Sequence, residues 1–177
     1  MKKWLLQAIV VLVLLASAGC QQADAIAREY KGPKLSIAVV GEIPTVHTKK
    51  VSFTSVSLDD VLKDLVKASQ TFDALFVMKS QFSIADDDKY VPTYRGLTIP
   101  TFFIGTERLY LPFVNEDSSY EHAPTFENVY AAGFLDRGTE KEYREETWEY
   151  TFPENKKTDA HIQAMYADIF DAIQQIP

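Results

Sequence analysis

The chain has 177 residues, with 18 Lys and Arg against 25 Asp and Glu, and a formal net charge of −7. An acidic balance of this kind excludes broad binding to nucleic acid and wide contact with anionic lipid, both of which need a positive surface. Hydrophobic residues at 46%, aromatics at 12% and only seven glycines exclude a disordered chain and predict one packed domain.

The first element is an export segment. Lys2 and Lys3 form a basic start, and Trp4 to Ala16 is apolar except for Gln7. That run is shorter than the ~20 residues a membrane-spanning helix needs and has the length of a signal-peptide core. Ala16, Ser17, Ala18 and Gly19 lead into Cys20, the only Cys in the chain, so no intrachain disulfide can form. The stretch resembles the lipobox of bacterial lipoproteins. Ala18, Gly19 and Cys20 match its pattern, and Ser17 stands where Leu is usual. The resemblance implies a diacylglyceryl group on Cys20 as the first mature residue. Two acyl chains hold a protein at a membrane, whereas one binds marginally. The expected organisation is a signal peptide over 1–19, a lipid-anchored tether over 20–34 and a single α/β domain over 35–177, on the extracytoplasmic face of the cell membrane. Removing 1–19 takes away Lys2 and Lys3 and no acid, which moves the charge from −7 to −9. Two alternatives remain open: ordinary cleavage after Ala16-Ser17-Ala18, which gives a secreted protein, and an uncleaved anchor.

Leu35 to Val40 is an apolar run closed by Gly41, which predicts a strand covered on both faces. Val51 to Val56 alternates with period two and predicts a second strand. Ser57 and Asp60 form a capping box, and Val61, Leu62, Leu65 and Val66 predict a helix to about Ser69. Asp73 to Met78 is a third strand. Ser83 and Asp86 predict a second capping box, with a short helix that Pro92 kinks or restarts. Ile99 to Ile104 is a fourth strand with Pro100 at its entry. Residues 107–128 form a long loop whose Tyr110, Phe113, Tyr120 and Phe126 predict order. Val129 to Leu135 is a fifth strand. Trp148, Tyr150 and Phe152 mark a sixth, with an undecided hairpin or helix over 136–146. Thr158 or Asp159 caps a last helix whose stripe is Ile162, Met165, Tyr166, Ile169, Phe170 and Ile173.

Strands alternating with helices in the first half predict parallel units, with later strands antiparallel at one edge. The expected fold is α/β, a three-layer α/β/α domain with a mostly parallel, Rossmann-like or flavodoxin-like sheet. The alternative is a thioredoxin-like fold, because Tyr94 to Ile104 with Ile99-Pro100-Thr101 looks like the cis-proline strand of thioredoxins. The Cys-x-x-Cys of that family is absent, so its redox activity is not implied. Residues 73–77, 99–104, 130–134 and 166–170 also look similar to small lipoproteins of uncharacterised activity from Bacillus-type Gram-positive bacteria. That resemblance implies no activity and no functional residues.

G-x-S-x-G, P-loop, H-E-x-x-H and G-x-G-x-x-G motifs are missing from the sequence, so no cofactor or catalytic residue is predicted. His47, His122 and His161 lack ligand spacing for zinc, and Asp86-Asp87-Asp88 lacks the order of a calcium loop. Glu116, Asp117, Glu121 and His122 read as a solvated loop, and Glu140 to Glu149 as a solvated face. Open α/β sheets bind ligands beyond the carboxyl ends of their strands. Those ends carry Gly41, Glu42, Lys79, Ser80, Thr106 and Glu107, which makes them the candidate ligand-binding residues, with helix N-termini expected behind them to favour an anionic or polar ligand. The expected function is a lipid-anchored, non-enzymatic domain that binds a protein partner or small ligand. The rivals are a cell-envelope hydrolase or transferase using Glu42 and Glu107 as acid and base, and a structural subunit of an envelope complex.

Overall fold

The computed structural model describes residues 28–138, 144–152 and 156–177. The export segment, Cys20 and most of the tether therefore lie outside the described residues, as do parts of the 136–146 connection and the 140–149 charge run.

A six-stranded mixed sheet forms the centre: β1 (Leu35–Val40), β2 (Val51–Ser55), β3 (Ala74–Met78), β4 (Thr101–Ile104), β5 (Val129–Asp136) and β6 (Glu145–Thr151). Their order is β2-β1-β3-β4-β5-β6. The first four are mutually parallel, while β5 is antiparallel to β4 and β6 antiparallel to β5. Side chains alternate faces along each strand, and both faces are buried. On one face Ile37, Val39, Phe76, Phe102 and Ile104 pack under the last helix, α6 (Asp159–Gln174). On the other, Ala38, Val40, Leu75, Val77 and Phe103 pack under α1 (Leu58–Lys63), α2 (Leu65–Thr71), α3 (Phe82–Ala85), α4 (Val91–Gly96) and α5 (Leu111–Val114). Two-sided burial is why the central strands read as unbroken apolar runs.

The helices follow their caps. Ser57 Oγ accepts the Asp60 N–H at 3.1 Å and opens α1. The single helix expected to Ser69 is divided, because the Asp64 carboxylate captures the Lys67 N–H at 2.9 Å and starts α2 there. Short polar side chains compete with the helix backbone in this way. Pro92 restarts the chain as α4. The Ser83–Asp86 box does not form: Asp86 instead accepts the Tyr120 N–H at 2.8 Å, from the long loop. Thr158 caps α6 through the His161 N–H, and its stripe is buried at Met165, Tyr166, Ile169, Phe170 and Ile173.

Two details correct the sequence expectations, and a third agrees with a loop read after β1. No described peptide bond is cis, and β4 runs parallel to β3, so the Ile99-Pro100 entry lacks the feature behind the thioredoxin alternative. The domain begins before Leu35. Tyr30 is buried, edge-on to Phe170 at 5.5 Å, and Arg28 pairs with Asp168 and Asp171 on α6. The crossover from β1 to its parallel neighbour β2 contains no helix, although such crossovers usually do. Residues 41–50 cross the α6 face instead. Gln163 of α6 holds them, accepting the His47 N–H at 3.0 Å and donating to the Thr45 carbonyl at 3.1 Å.

Candidate functional site

The parallel strands β1, β3 and β4 end at one edge, and the loops that follow them face one another. Glu42, Lys79, Ser80, Thr106 and Glu107 line a single cleft of about 410 Å³. Gly41 stands beside it at φ +107°, where a Cβ would meet Met78 Cβ at 2.9 Å. That position needs glycine both for its backbone angle and for its close approach. The residues predicted from strand ends alone are therefore brought together across more than sixty positions of sequence.

They do not all serve the mouth in the same way. Lys79 Nζ donates to Glu107 Oε1 at 2.8 Å, with both side chains more than half exposed. Each charge favours the other: the hydrogen bond to Glu107 raises the Lys79 ammonium above its ordinary value, and that from Lys79 holds the Glu107 carboxyl below its own. A carboxyl held low is a poor proton donor near neutral pH, which counts against Glu107 as the acid of a hydrolase. Thr106 is buried and occupied internally. Its Oγ1 accepts the Arg108 N–H at 3.0 Å and donates to the Arg108 carbonyl at 2.7 Å. It closes the turn after Gly105 and does not offer its hydroxyl to the mouth. The helix N-termini expected behind these loops also fail to appear as anion sites. The chain after β3 makes a 3₁₀ turn (Lys79–Gln81) and then α3, and the chain after β4 leads to α5, each helix only four residues long.

Five lining residues come from segments that strand-end reasoning did not reach: Asn128, Val129, Tyr130, Phe152 and Lys157. Because β5 is antiparallel to β4, its start, rather than its end, lies at this edge, and β6 then returns its end there. Asn128, at φ +79°, turns the chain into β5, an angle that Asn tolerates better than most residues. The register then slips between Val129 and Ala131. This bulge places Tyr130 on the same face as Ala131, where strict alternation would separate them. Lys157 Nζ sits 4.6 Å from the Tyr130 ring centroid, a favourable cation–π distance. Burial raises the Tyr130 hydroxyl above its ordinary value, against an opposing effect from Lys79, so it stays protonated.

The long loop forms one wall. Tyr120 Oη accepts the Glu107 N–H at 3.2 Å, and the Phe126 N–H donates to the Glu107 carbonyl at 2.9 Å. Arg108 lies over the Tyr120 ring and donates to the carbonyls of Glu121 and Ala123. Tyr110, Phe113 and Tyr120 pack into the core as expected, whereas Phe126 is exposed. A second groove of about 440 Å³ runs between α1 and α2, floored by Val61, Ala68 and Phe72, and contains none of the predicted residues. Among the described residues no helix is long and apolar enough to cross a membrane. Compared with known proteins, the chain matches no family model, no curated protein and no solved structure.

Proposed function

We propose that this chain is a lipid-anchored, extracytoplasmic binding domain that takes a small ligand at the carboxyl-end mouth of its sheet. Its fold, in this reading, is a three-layer α/β/α arrangement, Rossmann-like or flavodoxin-like in its first four strands. One observation carries the reading. Glu42, Lys79, Ser80 and Glu107, from three separate strand ends, line one cleft, which takes in the loops that leave β1 and β3, the neighbours at which the strand order reverses, and extends past β4 to the start of β5. Ligands of open α/β sheets sit at such a switch point. The Lys79–Glu107 pair holds the Glu107 carboxyl below its ordinary value, which counts against Glu107 as the acid of the rival hydrolase.

The anchor and the mouth fit together. The chain enters the domain through Arg28 and Tyr30, which dock near the end of α6 beside the start of β1. The chain thus enters the domain at the edge opposite the mouth, so a lipid on Cys20 is compatible with an open mouth. The eight residues 20–27 reach at most about 28 Å, which keeps the domain close to the surface. Cys20→Ala is expected to abolish fatty-acid incorporation and to move the mature domain out of the membrane fraction, or to leave an uncleaved precursor. Metabolic labelling of the wild type checks this, and absence of label in the wild type would remove the anchor from the account.

A further inference from the structure

We propose that the mouth recognises a monocarboxylate with an apolar body, its carboxylate taken between Lys79 and Lys157 in the place that Glu107 now serves; this rests on the reading of the mouth as a binding site. Glu107 is itself a carboxylate seated against that cation. Its Oε1 lies 2.8 Å from Lys79 Nζ, and its side chain is 62% exposed on a loop. An exposed ion pair of this kind contributes little to stability, so a ligand carboxylate can exchange for it cheaply. Lys157 is the second cation. It rests on the Tyr130 ring face and forms no ion pair among the described residues, so its ammonium keeps donors for an anion.

The surrounding chemistry limits the ligand. Two ammonium groups face two carboxylates, Glu42 and Glu107, within one cleft, and the carboxylates repel a second negative charge on the ligand. A phosphate is further disfavoured because the usual devices are missing. The nearby guanidinium, Arg108, is committed to the Glu121 and Ala123 carbonyls, the helices that follow β3 and β4 are only four residues long, and the first turn of α6, which begins beside Lys157, is already capped by Thr158 and carries the acidic Asp159. Beside these groups and the polar Ser80 and Asn128, the cleft has apolar walls from Met78, Ile104, Val129 and Phe152. An aliphatic or aromatic body of several carbons matches those walls.

The test titrates the ¹⁵N-labelled mature chain with sodium hexanoate, hexanamide and inorganic phosphate, following backbone amide shifts. Hexanoate is expected to give saturable shifts at Ser80, Gly105, Asn128 and Tyr130, with hexanamide at least about tenfold weaker, as loss of a charge-assisted contact implies, and no saturable shift from phosphate. Glu107→Gln should tighten hexanoate by about two- to fivefold, the range set by an exposed ion pair. Lys157→Ala should weaken it by at least a similar factor, with melting temperatures of both variants close to wild type. Hexanamide binding as tightly as hexanoate, or weaker hexanoate binding in Glu107→Gln, would overturn carboxylate recognition while leaving the mouth as a site. Phosphate binding more tightly than hexanoate would replace the ligand class. If none of the three probes perturbs the mouth, carboxylate recognition and the site reading both fall.

Discussion

Ile169→Asp is expected to unfold the domain, or to leave it melting far below the wild type. Ile169 is fully buried on α6, in the same cluster as Phe76, Phe102 and Phe170. Those rings form a continuous stack: Phe76 lies 6.3 Å from Phe170 with parallel planes and 5.8 Å edge-on to Phe102. A carboxylate placed there loses its water and gains no designed partner, which costs several kcal/mol or forces protonation or rearrangement. The whole stability of a domain this size is of order 5–15 kcal/mol, so a single such change consumes much of it. Gln175→Ala, at the exposed C-cap of α6, should change stability by less than about 0.5 kcal/mol. Thermal unfolding followed by circular dichroism compares the three proteins. Equal melting temperatures for Ile169→Asp and wild type would show that α6 does not dock on the sheet.

The second large effect is expected at Asp136, at the end of β5 remote from the mouth. Its side chain is only 2% exposed and receives Arg144 Nε at 3.2 Å and Arg95 Nη1 at 3.4 Å. The Gly138 N–H adds a third donor at 2.9 Å. Arg95 also donates to the Val114 carbonyl at 2.7 Å and pairs with Glu145 at 3.0 Å, so the group staples α4, α5, β5 and β6 together. Burial alone would push the Asp136 carboxyl up. The Gly138 N–H, Arg144 and Arg95 outweigh it and hold the group below its ordinary value. A carboxyl depressed in the folded state stabilises the fold above its unfolded pKa, and that stability is lost as pH falls through the folded pKa. Asp136→Asn keeps the shape and removes the charge. It is expected to cost about 1–3 kcal/mol at neutral pH, below the 3–5 of a fully buried pair because Arg144 is largely exposed. Denaturant unfolding should show the full gap between wild type and variant above about pH 5. The gap should narrow as pH drops below the ordinary Asp value of about 3.9. A gap that does not change with pH would mean that the carboxylate charge is not what holds the staple.

The central strands were legible as short apolar runs, as Leu35–Val40 closed by Gly41 is, β2 and β6 by their period-two alternation, and α6 because its stripe keeps helical spacing for three turns. The break at Asp64 was not, since Val61, Leu62, Leu65 and Val66 read as one helix and only the competing Lys67 N–H interrupts it. Asp86 misled for a related reason: its partner, Tyr120, lies 34 residues away. Half of the mouth could be read from sequence, because parallel strands place Glu42, Lys79 and Glu107 at one edge by topology alone. Tyr130 and Lys157 could not, because they depend on the reversal at β5 and on a bulge, both long-range features of pairing. Asn128 just before the strand is the one local signal, as a residue that tolerates the left-handed turn into it. Thr106 was placed at the right edge, but its hydroxyl is bound to Arg108, which no strand pattern reveals.

Whether the domain binds ligand at the carboxyl-end mouth is read out by soaking crystals with a chemically diverse fragment set. Bound fragments are expected to concentrate against Lys79, Glu107, Tyr130 and Lys157, with acidic fragments the most frequent occupants. Fragments gathering instead in the groove between α1 and α2, floored by Val61, Ala68 and Phe72, with the mouth left empty, would contradict a binding site at the mouth.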